Sequence, residues 1–261
     1  MIIAEIGSVH DGSLGNALKL VDLASKCKAD CVKFQYHIPD QETLKDAPNP
    51  HFFKEENRYE YFKRTEFSIA QWKEIIKRCR KRKIQFMCSV FSEKSLFNLV
   101  KMGVKNIKIP SGELTNIFLL KKVNKFRNIN LFVSTGMSRW SEINYALKIL
   151  KLKKITLMQC TSLYPCPPEK AGINVISEMK NKYKRKYKYG FSDHTQGSEA
   201  AVLAMSFGAK VFEKHLTFST KMYGSDAKFA MEPHEFSQYV QSLKKTHKIK
   251  KNQVNKDKFK L

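Results

Sequence analysis

The hydrophobic positions along the chain follow two alternating periods, and this alternation predicts eight strand-then-helix units. Short runs of mostly apolar residues are typical of buried strands, whereas apolar residues spaced three and four apart indicate amphipathic helices. The predicted strands cover residues 2–7, 29–35, 84–90, 106–110, 130–135, 155–160, 188–192 and 210–215. The helices that follow them are predicted over residues 14–27, 68–82, 92–102, 115–126, 140–150, 173–182, 196–207 and 233–246.

Eight such units predict a TIM (β/α)8 barrel, an α/β fold in which each helix crosses back over a parallel sheet. A doubly wound open sheet is the alternative that the pattern leaves open. The barrel is expected to span residues 1–247, and residues 248–261 are expected to form a Lys-rich polar tail. A long connection over residues 37–67 interrupts the pattern, and we expect His37 and His51 within it to face solvent.

Composition and charge narrow the class of protein. Hydrophobic residues make up 42% of the 261 positions, which is enough for a sizeable core. No apolar run approaches the roughly 18 residues of a membrane span, and the sequence starts without a secretory leader, so we expect a cytoplasmic protein with reduced cysteines. The net charge of +24 raises the question of a nucleic-acid partner. Because the lysines are spread over helix surfaces without interleaved aromatic residues, we expect a solvated basic surface instead.

Two histidines follow the last two predicted strands, at the end of the barrel where enzymes of this fold carry their sites. His194 comes two residues after the seventh predicted strand, and His215 ends the eighth. Two imidazoles delivered by neighbouring strands make a simple site for a divalent metal. The sequence therefore predicts a metal centre at this rim.

A second group of polar residues at the same rim predicts a phosphate site. Lys33 and Lys108 lie inside apolar strands, where an unpaired charge is costly unless it meets a partner or a ligand. Together with hydroxyl-bearing turns they can form a phosphate cradle. The hydroxyls of that cradle are Ser111, Ser134 and Ser162. We therefore expect a phosphorylated substrate.

Three carboxylates complete the predicted rim: Glu5, Glu113 and Asp226. Carboxylates of this kind serve in acid–base chemistry or hold sugar hydroxyls. Their presence beside a phosphate cradle is consistent with a substrate that also carries hydroxyl groups.

The motifs at these positions resemble those of the sialic acid synthase family, also called the N-acetylneuraminate synthases. The matching segments, in the family's order and spacing, are AEIGSVHDG, VKFQ, IKIPSGE, STGM, QCTSLYP, GFSDHT and FEKHLT. The resemblance runs from residue 2 to about residue 245. It implies a transferase that condenses phosphoenolpyruvate with an N-acylated hexose, such as N-acetylmannosamine in its open-chain aldehyde form. The products would be a nine-carbon sugar acid and phosphate.

Carried over motif by motif, the resemblance also implies residue roles. Divalent Mn or Mg would be bound by His194 and His215, and protons would be handled by Glu5 or Glu113. Phosphoenolpyruvate would be held by Lys33, Lys108, Ser111, Ser134 and Ser192. The amino-sugar acceptor would be held by Gln35, Glu113, Tyr164 and Asp226.

The chain departs from the family pattern in several places. Val9, Val90, Gln159 and Ala227 stand where the family usually has Asn, Pro, His and His. These departures indicate a divergent member, with an acceptor such as those leading to legionaminic or pseudaminic acids. The C-terminal antifreeze-like domain of the family, which in the dimer places an arginine over the partner's sugar site, is expected to be absent. We expect a homodimer in which either a separate lid chain closes the site or the barrel binds the acceptor alone.

Two other functions stay open. One is another metal-dependent barrel enzyme, an aldolase or a three-deoxy sugar-phosphate synthase, which would take a phosphorylated aldehyde. The lack of further basic residues for a second phosphate weighs against it. The other is a lidless binding subunit without catalysis, against which the retention of both histidines and the whole polar rim weighs.

Overall fold

Eight parallel strands, each paired with the next in the chain, close into a barrel. The computed structural model describes residues 1–49, 56–252, 254–255 and 257. The strands are β1 (Ile2–Gly7), β2 (Cys31–Tyr36), β3 (Gln85–Val90), β4 (Asn106–Ile109), β5 (Asn130–Ser134), β6 (Ile155–Cys160), β7 (Lys188–Asp193) and β8 (Val211–His215). Because β8 pairs with β1, the sheet has no free edge, which confirms the predicted TIM barrel over the open sheet.

The helices cover the outside of the barrel in chain order. They are α1 (Leu14–Lys26), α2 (Arg58–Thr65), α3 (Ile69–Lys81), α4 (Glu93–Lys101), α5 (Ile117–Val123), α6 (Trp140–Ile149), α7 (Asn174–Tyr183), α8 (Glu199–Phe207) and α9 (Pro233–Lys251). All eight predicted helices are present, and α9 continues beyond its predicted end at residue 246. Ser68 caps α3, since its hydroxyl accepts from the Gln71 N–H while the Gln71 side chain accepts from the Ser68 N–H.

Helix α2 lies within the connection that the sequence pattern leaves without structure. Its sequence, RYEYFKRT, alternates charged and aromatic residues and is too short for a helical period to stand out. The Asn57 side chain caps its first turn. Tyr61 donates a hydrogen bond to the Ser8 hydroxyl at 2.8 Å, which ties α2 to the loop after β1. Within the described part of the connection, α2 therefore packs over that loop.

His37, expected in solvent, is buried, so that expectation is wrong. Only 9% of the residue is exposed, and its ring lies between Phe62 and Phe91 at centroid distances of 3.9 Å and 4.0 Å. These two rings come from α2 and from the end of β3, which no local pattern brings together. His51 lies outside the described residues.

The inside of the barrel divides into two layers along the strands. An apolar cluster fills the amino-terminal half: Ile3, Cys31, Met87, Phe132, Met158 and Val211. Because side chains two apart on a strand share a face, the next inward positions belong to the carboxyl-terminal half. Those positions are mostly polar: Glu5, Lys33, Ser89, Ser134, Cys160 and Glu213. One end of the barrel is core, and the other is a candidate site.

No helix in the described ranges is both long and apolar enough to cross a bilayer. All six cysteines are buried free thiols.

Candidate active site

A cavity of about 550 Å³ opens at the carboxyl-terminal end of the barrel. All but two of the predicted site residues line it: Glu5, Lys33, Gln35, Lys108, Ser111, Ser134, Ser162, Tyr164, Ser192, His194 and His215. The strand ends thus bring together side chains from almost the whole length of the chain, as the barrel topology predicts.

A buried charge network forms the floor of this cavity, and Glu213 is at its centre. The Glu213 carboxylate accepts from Lys108 Nζ at 2.9 Å and lies 3.3 Å from Lys33 Nζ. Ser192 donates its hydroxyl to the same carboxylate at 2.8 Å. Lys33 Nζ is also 3.1 Å from Glu5 Oε1. The two lysines of the predicted phosphate cradle therefore meet carboxylates, and the floor is a paired network.

Glu213 is a polar residue of the rim to which the sequence motifs assign no role. It lies two positions before His215 on β8, so the strand period places both side chains on the inward face. The two-residue spacing between Glu213 and His215 is the sequence signal that places Glu213 in the site. Lys214, between them, faces outward and pairs with Asp193 at 3.1 Å.

The network shifts the pKa values of its members in ways that follow from burial and pairing. Burial alone would lower the pKa of Lys33, but the carboxylates of Glu213 and Glu5 outweigh it and raise that pKa. Burial lowers the pKa of Lys108, although Glu213 opposes the shift. Burial also opposes the charge of Glu213, but Lys108 and Lys33 together hold its pKa well below the usual range. Glu213 is therefore the fixed negative charge between the two ammonium groups.

Glu5 differs from Glu213 because its charge is poorly compensated. Burial raises the pKa of Glu5 to about 7, with Lys33 opposing the shift. Its Oε1 accepts from Gln35 Nε2 at 2.7 Å. Its Oε2 is buried and has no hydrogen-bond partner among the described residues. A carboxyl group of this kind can hold or release a proton near neutral pH.

Hydroxyl and backbone donors stand around the same floor. Ser111 Oγ accepts from the Gly136 N–H at 3.2 Å, which fixes two consecutive turns against each other. Ser134 Oγ is buried without a hydrogen-bond partner in the described part of the chain. A buried hydroxyl left unpaired is costly, and a ligand oxygen in the cavity would satisfy it.

The arrangement of His194 and His215 fits a divalent metal. Their ring centroids are 5.8 Å apart, and His194 Nδ1 lies 2.8 Å from the Thr161 carbonyl oxygen, which leaves Nε2 as its ligand atom. Burial lowers the pKa of His215 to about 4, so this imidazole is neutral at neutral pH, and its buried Nδ1 has no hydrogen-bond partner among the described residues. No group of three or more His, Cys, Asp or Glu residues suited to a metal occurs in the described ranges. Two protein ligands leave positions for substrate and water, as catalytic metal sites require.

Cys160 and Tyr164 surround the histidine pair. Cys160 Sγ lies 3.9 Å from His194 Nδ1. Burial opposes ionisation of that thiol, but pairing with His194 outweighs it and lowers the Cys160 pKa, and the same pairing raises the pKa of His194 against its burial. A bound metal would instead hold His194 as a neutral imidazole. The Tyr164 ring packs on His194 at 4.1 Å and meets His215 edge-on at 6.0 Å, so it restricts both imidazoles.

Glu113 and Asp226 lie beside the cavity and are not among its lining residues. Glu113 is partly buried, which raises its pKa, and accepts from Asn116 Nδ2 at 2.8 Å. Asp226 Oδ2 accepts from both the N–H and the hydroxyl of Ser8, at 2.7 Å and 2.8 Å. Gly7 has φ +54°, and a Cβ there would lie 2.1 Å from Asp226 Oδ2, so this close approach requires glycine. The roles of both carboxylates stay predictions.

The departures from the family pattern lie in the packing around the cavity. Val9, Val90 and Ala227 are buried and do not line it. Gln159 faces outward from β6 and donates to the Ala171 carbonyl at 3.3 Å. None of the four lines the cavity.

Comparison with known proteins agrees with this geometry. The model of the NeuB family matches residues 20–255. The chain belongs to the NeuB family. It is 34% identical to the N,N'-diacetyllegionaminic acid synthase of Campylobacter jejuni, over 98% of this chain and 79% of that protein. It is 32% identical to the mouse N-acetylneuraminate-9-phosphate synthase, over 93% of this chain and 69% of that one.

A solved structure in the same family has the same fold over almost the whole chain. It is the N-acetylneuraminic acid synthetase of Leptospira borgpetersenii in complex with citrate, with a TM-score of 0.85 and 30% identity over 98% of this chain and 87% of that one. Together these findings confirm the resemblance seen in the motifs and the expected enzyme class, a transferase of the sialic acid synthase type that forms a carbon–carbon bond.

Proposed function

We propose that this protein condenses phosphoenolpyruvate with the open-chain form of an N-acylated amino sugar, giving a nonulosonic acid and phosphate. The observation that carries the proposal is the Lys33–Glu213–Lys108 network in one cavity with the His194 and His215 pair. The network offers ammonium groups to an anionic substrate, and the histidines offer a site for a metal beside it.

The anionic substrate lies over the network floor. Phosphoenolpyruvate carries a phosphate and a carboxylate, and each needs cationic or N–H and O–H donors. Lys108 is buried and has a lowered pKa, so an arriving anion stabilises its charged form. The unpaired hydroxyl of Ser134 and the turns around Ser111 supply further donors. Glu213 keeps both lysines charged and in place when no anion is bound.

The two imidazoles would hold the divalent ion, Mn or Mg. When bound, such an ion supplies Lewis-acid polarisation of the acceptor's aldehyde oxygen. The Thr161 carbonyl orients His194, and Tyr164 limits the rotation of both rings. Because the protein would provide only two ligands to the metal, coordination positions would remain for the acceptor oxygen and for water.

Proton transfer is assigned to Glu5. Carbon three of phosphoenolpyruvate forms a bond to the aldehyde carbon as the double bond between carbons two and three opens, the aldehyde oxygen gains a proton, and water adds at carbon two and gives up a proton. The bond between carbon two and the phosphate oxygen then breaks, and the new hydroxyl on carbon two passes its proton to the leaving phosphate and becomes the keto group. With a pKa of about 7, Glu5 can give up its proton to an oxygen and recover one from the attacking water. Its Oε2, which has no partner among the described residues, is the atom available for this exchange.

The acceptor is proposed to be an N-acylated amino sugar of the legionaminic type, as the name of the Campylobacter relative suggests. Gln35 and Tyr164 line the side of the cavity nearest Glu5 and the histidines and would contact its hydroxyl and acyl groups. Asp226 and Glu113 lie beside the cavity and would contact the acceptor from there. The carboxylate of Asp226 adds to the raised pKa of Glu5 and opposes the lowered pKa of His215.

The test is phosphate release from phosphoenolpyruvate with Mn or Mg and a panel of N-acylated amino sugars. Release is expected only when metal and an amino sugar are both present, and a chelator should stop it. A folded protein that phosphoenolpyruvate stabilises against heat, but that releases no phosphate with any amino sugar, would contradict the proposal. Turnover of a phosphorylated aldehyde instead would favour a three-deoxy sugar-phosphate synthase.

A further inference from the structure

A line of four hydrogen-bonded side chains runs from the cavity into the packed connection after β2. Glu5 Oε1 accepts from Gln35 Nε2 at 2.7 Å, and Gln35 Oε1 lies 3.0 Å from His37 Nε2. On the other side of the ring, His37 Nδ1 lies 2.6 Å from Glu42 Oε1. Gln35 lines the cavity, whereas His37 and Glu42 stand behind it.

The direction of donation along this line follows from its cavity end. Glu5 Oε1 also lies 3.1 Å from the Lys33 ammonium, so it is an acceptor, and the Gln35 amide must turn its NH2 group toward it. The Gln35 carbonyl oxygen then faces His37 Nε2 and can only accept. His37 Nε2 must therefore carry a hydrogen.

The surroundings of His37 hold that hydrogen in place. Its Nδ1 faces a carboxylate, so a proton lies within the contact between His37 and Glu42. The side chains of these two residues are only 10% and 6% exposed. The faces of the ring are covered by Phe62 and Phe91. Ring rotation would break contacts on all four sides.

We propose that His37 is a positioning residue for Gln35. It fixes the Gln35 amide so that NH2 faces Glu5, and it prevents the flipped amide from placing a carbonyl oxygen against that carboxylate. This inference rests on the proposed function, because Glu5 and Gln35 act on the substrates only there. Glu42 in turn holds the other ring nitrogen, Nδ1, and so fixes the orientation of the His37 ring.

The first experiment is a double-mutant cycle between positions 35 and 37, read as kcat/KM for the acceptor. His37→Phe keeps a ring between Phe62 and Phe91 but has no N–H, and we expect it to lower kcat/KM about 10- to 100-fold. In a Gln35→Ala background, His37→Phe should lower kcat/KM no more than about twofold, because the Gln35 amide that His37 orients is gone. His37→Gln, which retains an N–H donor, should recover part of the loss. Phosphoenolpyruvate should stabilise the His37→Phe variant against heat as much as it stabilises the wild-type protein.

Losses that multiply in the double variant would overturn the proposal, since they would show that His37 acts independently of Gln35. The proposal would also be overturned if the melting temperature of His37→Phe fell so far that unfolding at the assay temperature explained the whole loss of kcat/KM. Either result would assign His37 a packing role only.

A second measurement needs no turnover. Nitrogen NMR of the histidine rings, with the His37 signals assigned by their loss in His37→Phe, should show Nε2 carrying a hydrogen at neutral pH. A bare Nε2 would overturn the proposal even in an active enzyme. If the wild-type protein fails to condense any acceptor while Nε2 is protonated, the proposed function fails and the hydrogen-bonded line to Gln35 stands.

Discussion

The two halves of the barrel interior are built by the same strands and are equally buried, yet they have opposite chemistry. Ile3 in the amino-terminal half is 0% exposed, and Glu5, one inward position further along β1, is 1% exposed. The same step leads from Val211 to Glu213 on β8. Burial alone therefore does not distinguish core from site. The difference is that the charges of the second half are paired around a cavity and leave selected atoms unsatisfied.

The two halves also contribute differently to stability. Burial of apolar side chains away from water stabilises the amino-terminal half. In the second half, desolvation of Glu5, Lys33, Lys108 and Glu213 is costly and is offset by their mutual attraction. Removing one charge from such a network costs more than the pair contributed, because its partner stays buried.

The largest effect is expected at the metal ligands. His215→Ala should lower the condensation rate at least about 10³-fold, because Lewis-acid catalysis is worth several kcal/mol and each 1.4 kcal/mol is about tenfold. The measurement is kcat under saturating metal, with circular dichroism to show that the barrel is folded. His234→Ala, at an exposed position on α9, is the matched control and should keep full activity. An active His215→Ala variant would remove the metal from the mechanism.

The next effect concerns the centre of the charge network. Glu213→Gln leaves Lys33 and Lys108 without their shared counter-charge and should lower the free energy of unfolding by about 3–5 kcal/mol. Urea denaturation measures this change. Phosphoenolpyruvate should stabilise the variant more than the wild-type protein, since its anionic groups take the place of the lost carboxylate.

Glu74→Gln is the control for that variant, because Glu74 pairs with Lys77 on an exposed surface of α3. Its effect should stay within about 0.5 kcal/mol. A loss of less than about 1 kcal/mol in Glu213→Gln would mean that the network is solvated and that the polar half is not built on paired buried charges.

The smallest effect is a dependence of stability on pH that sets Glu5 apart from Ile3. The pKa of Glu5 is raised, chiefly by burial, from 4.5 to about 7, so the folded protein retains a proton that the unfolded chain has lost. The stability that this proton contributes is fully present below about pH 4.5 and is lost as the pH rises through about 7. Glu5→Gln cannot lose a proton. Relative to the wild-type protein it should gain up to about 1.4 kcal/mol per pH unit across that interval.

Ile3→Val is the matched variant in the apolar half of the same strand. It should lower the free energy of unfolding by about 1 kcal/mol equally at every pH and leave turnover unchanged. Chemical denaturation at several pH values compares the two variants. A difference between Glu5→Gln and the wild-type protein that is flat with pH would show that Glu5 is ionised throughout this range.

The sequence predicted the barrel because eight repeats of a local pattern suffice to specify it, and it predicted most of the cavity because strand ends meet at one rim. It missed α2 and the burial of His37, because the rings that cover His37 come from distant segments. Glu213 received no role, although the strand period placed it beside His215. Its partners, Lys33 and Lys108, come from β2 and β4, and no local signal pairs them. The homodimer, the lid chain, the tail over residues 248–261 and the cytoplasmic location stay predictions.

The most direct test of the account is the fate of carbon three of phosphoenolpyruvate. The wild-type protein should be incubated with isotopically labelled phosphoenolpyruvate, a divalent metal and the best acceptor of the panel, and the products examined by NMR. The account predicts a new bond between carbon three and the former aldehyde carbon, formed together with one free phosphate. Labelled pyruvate and phosphate without that bond would contradict it, because the cavity would then hydrolyse the substrate and not condense it.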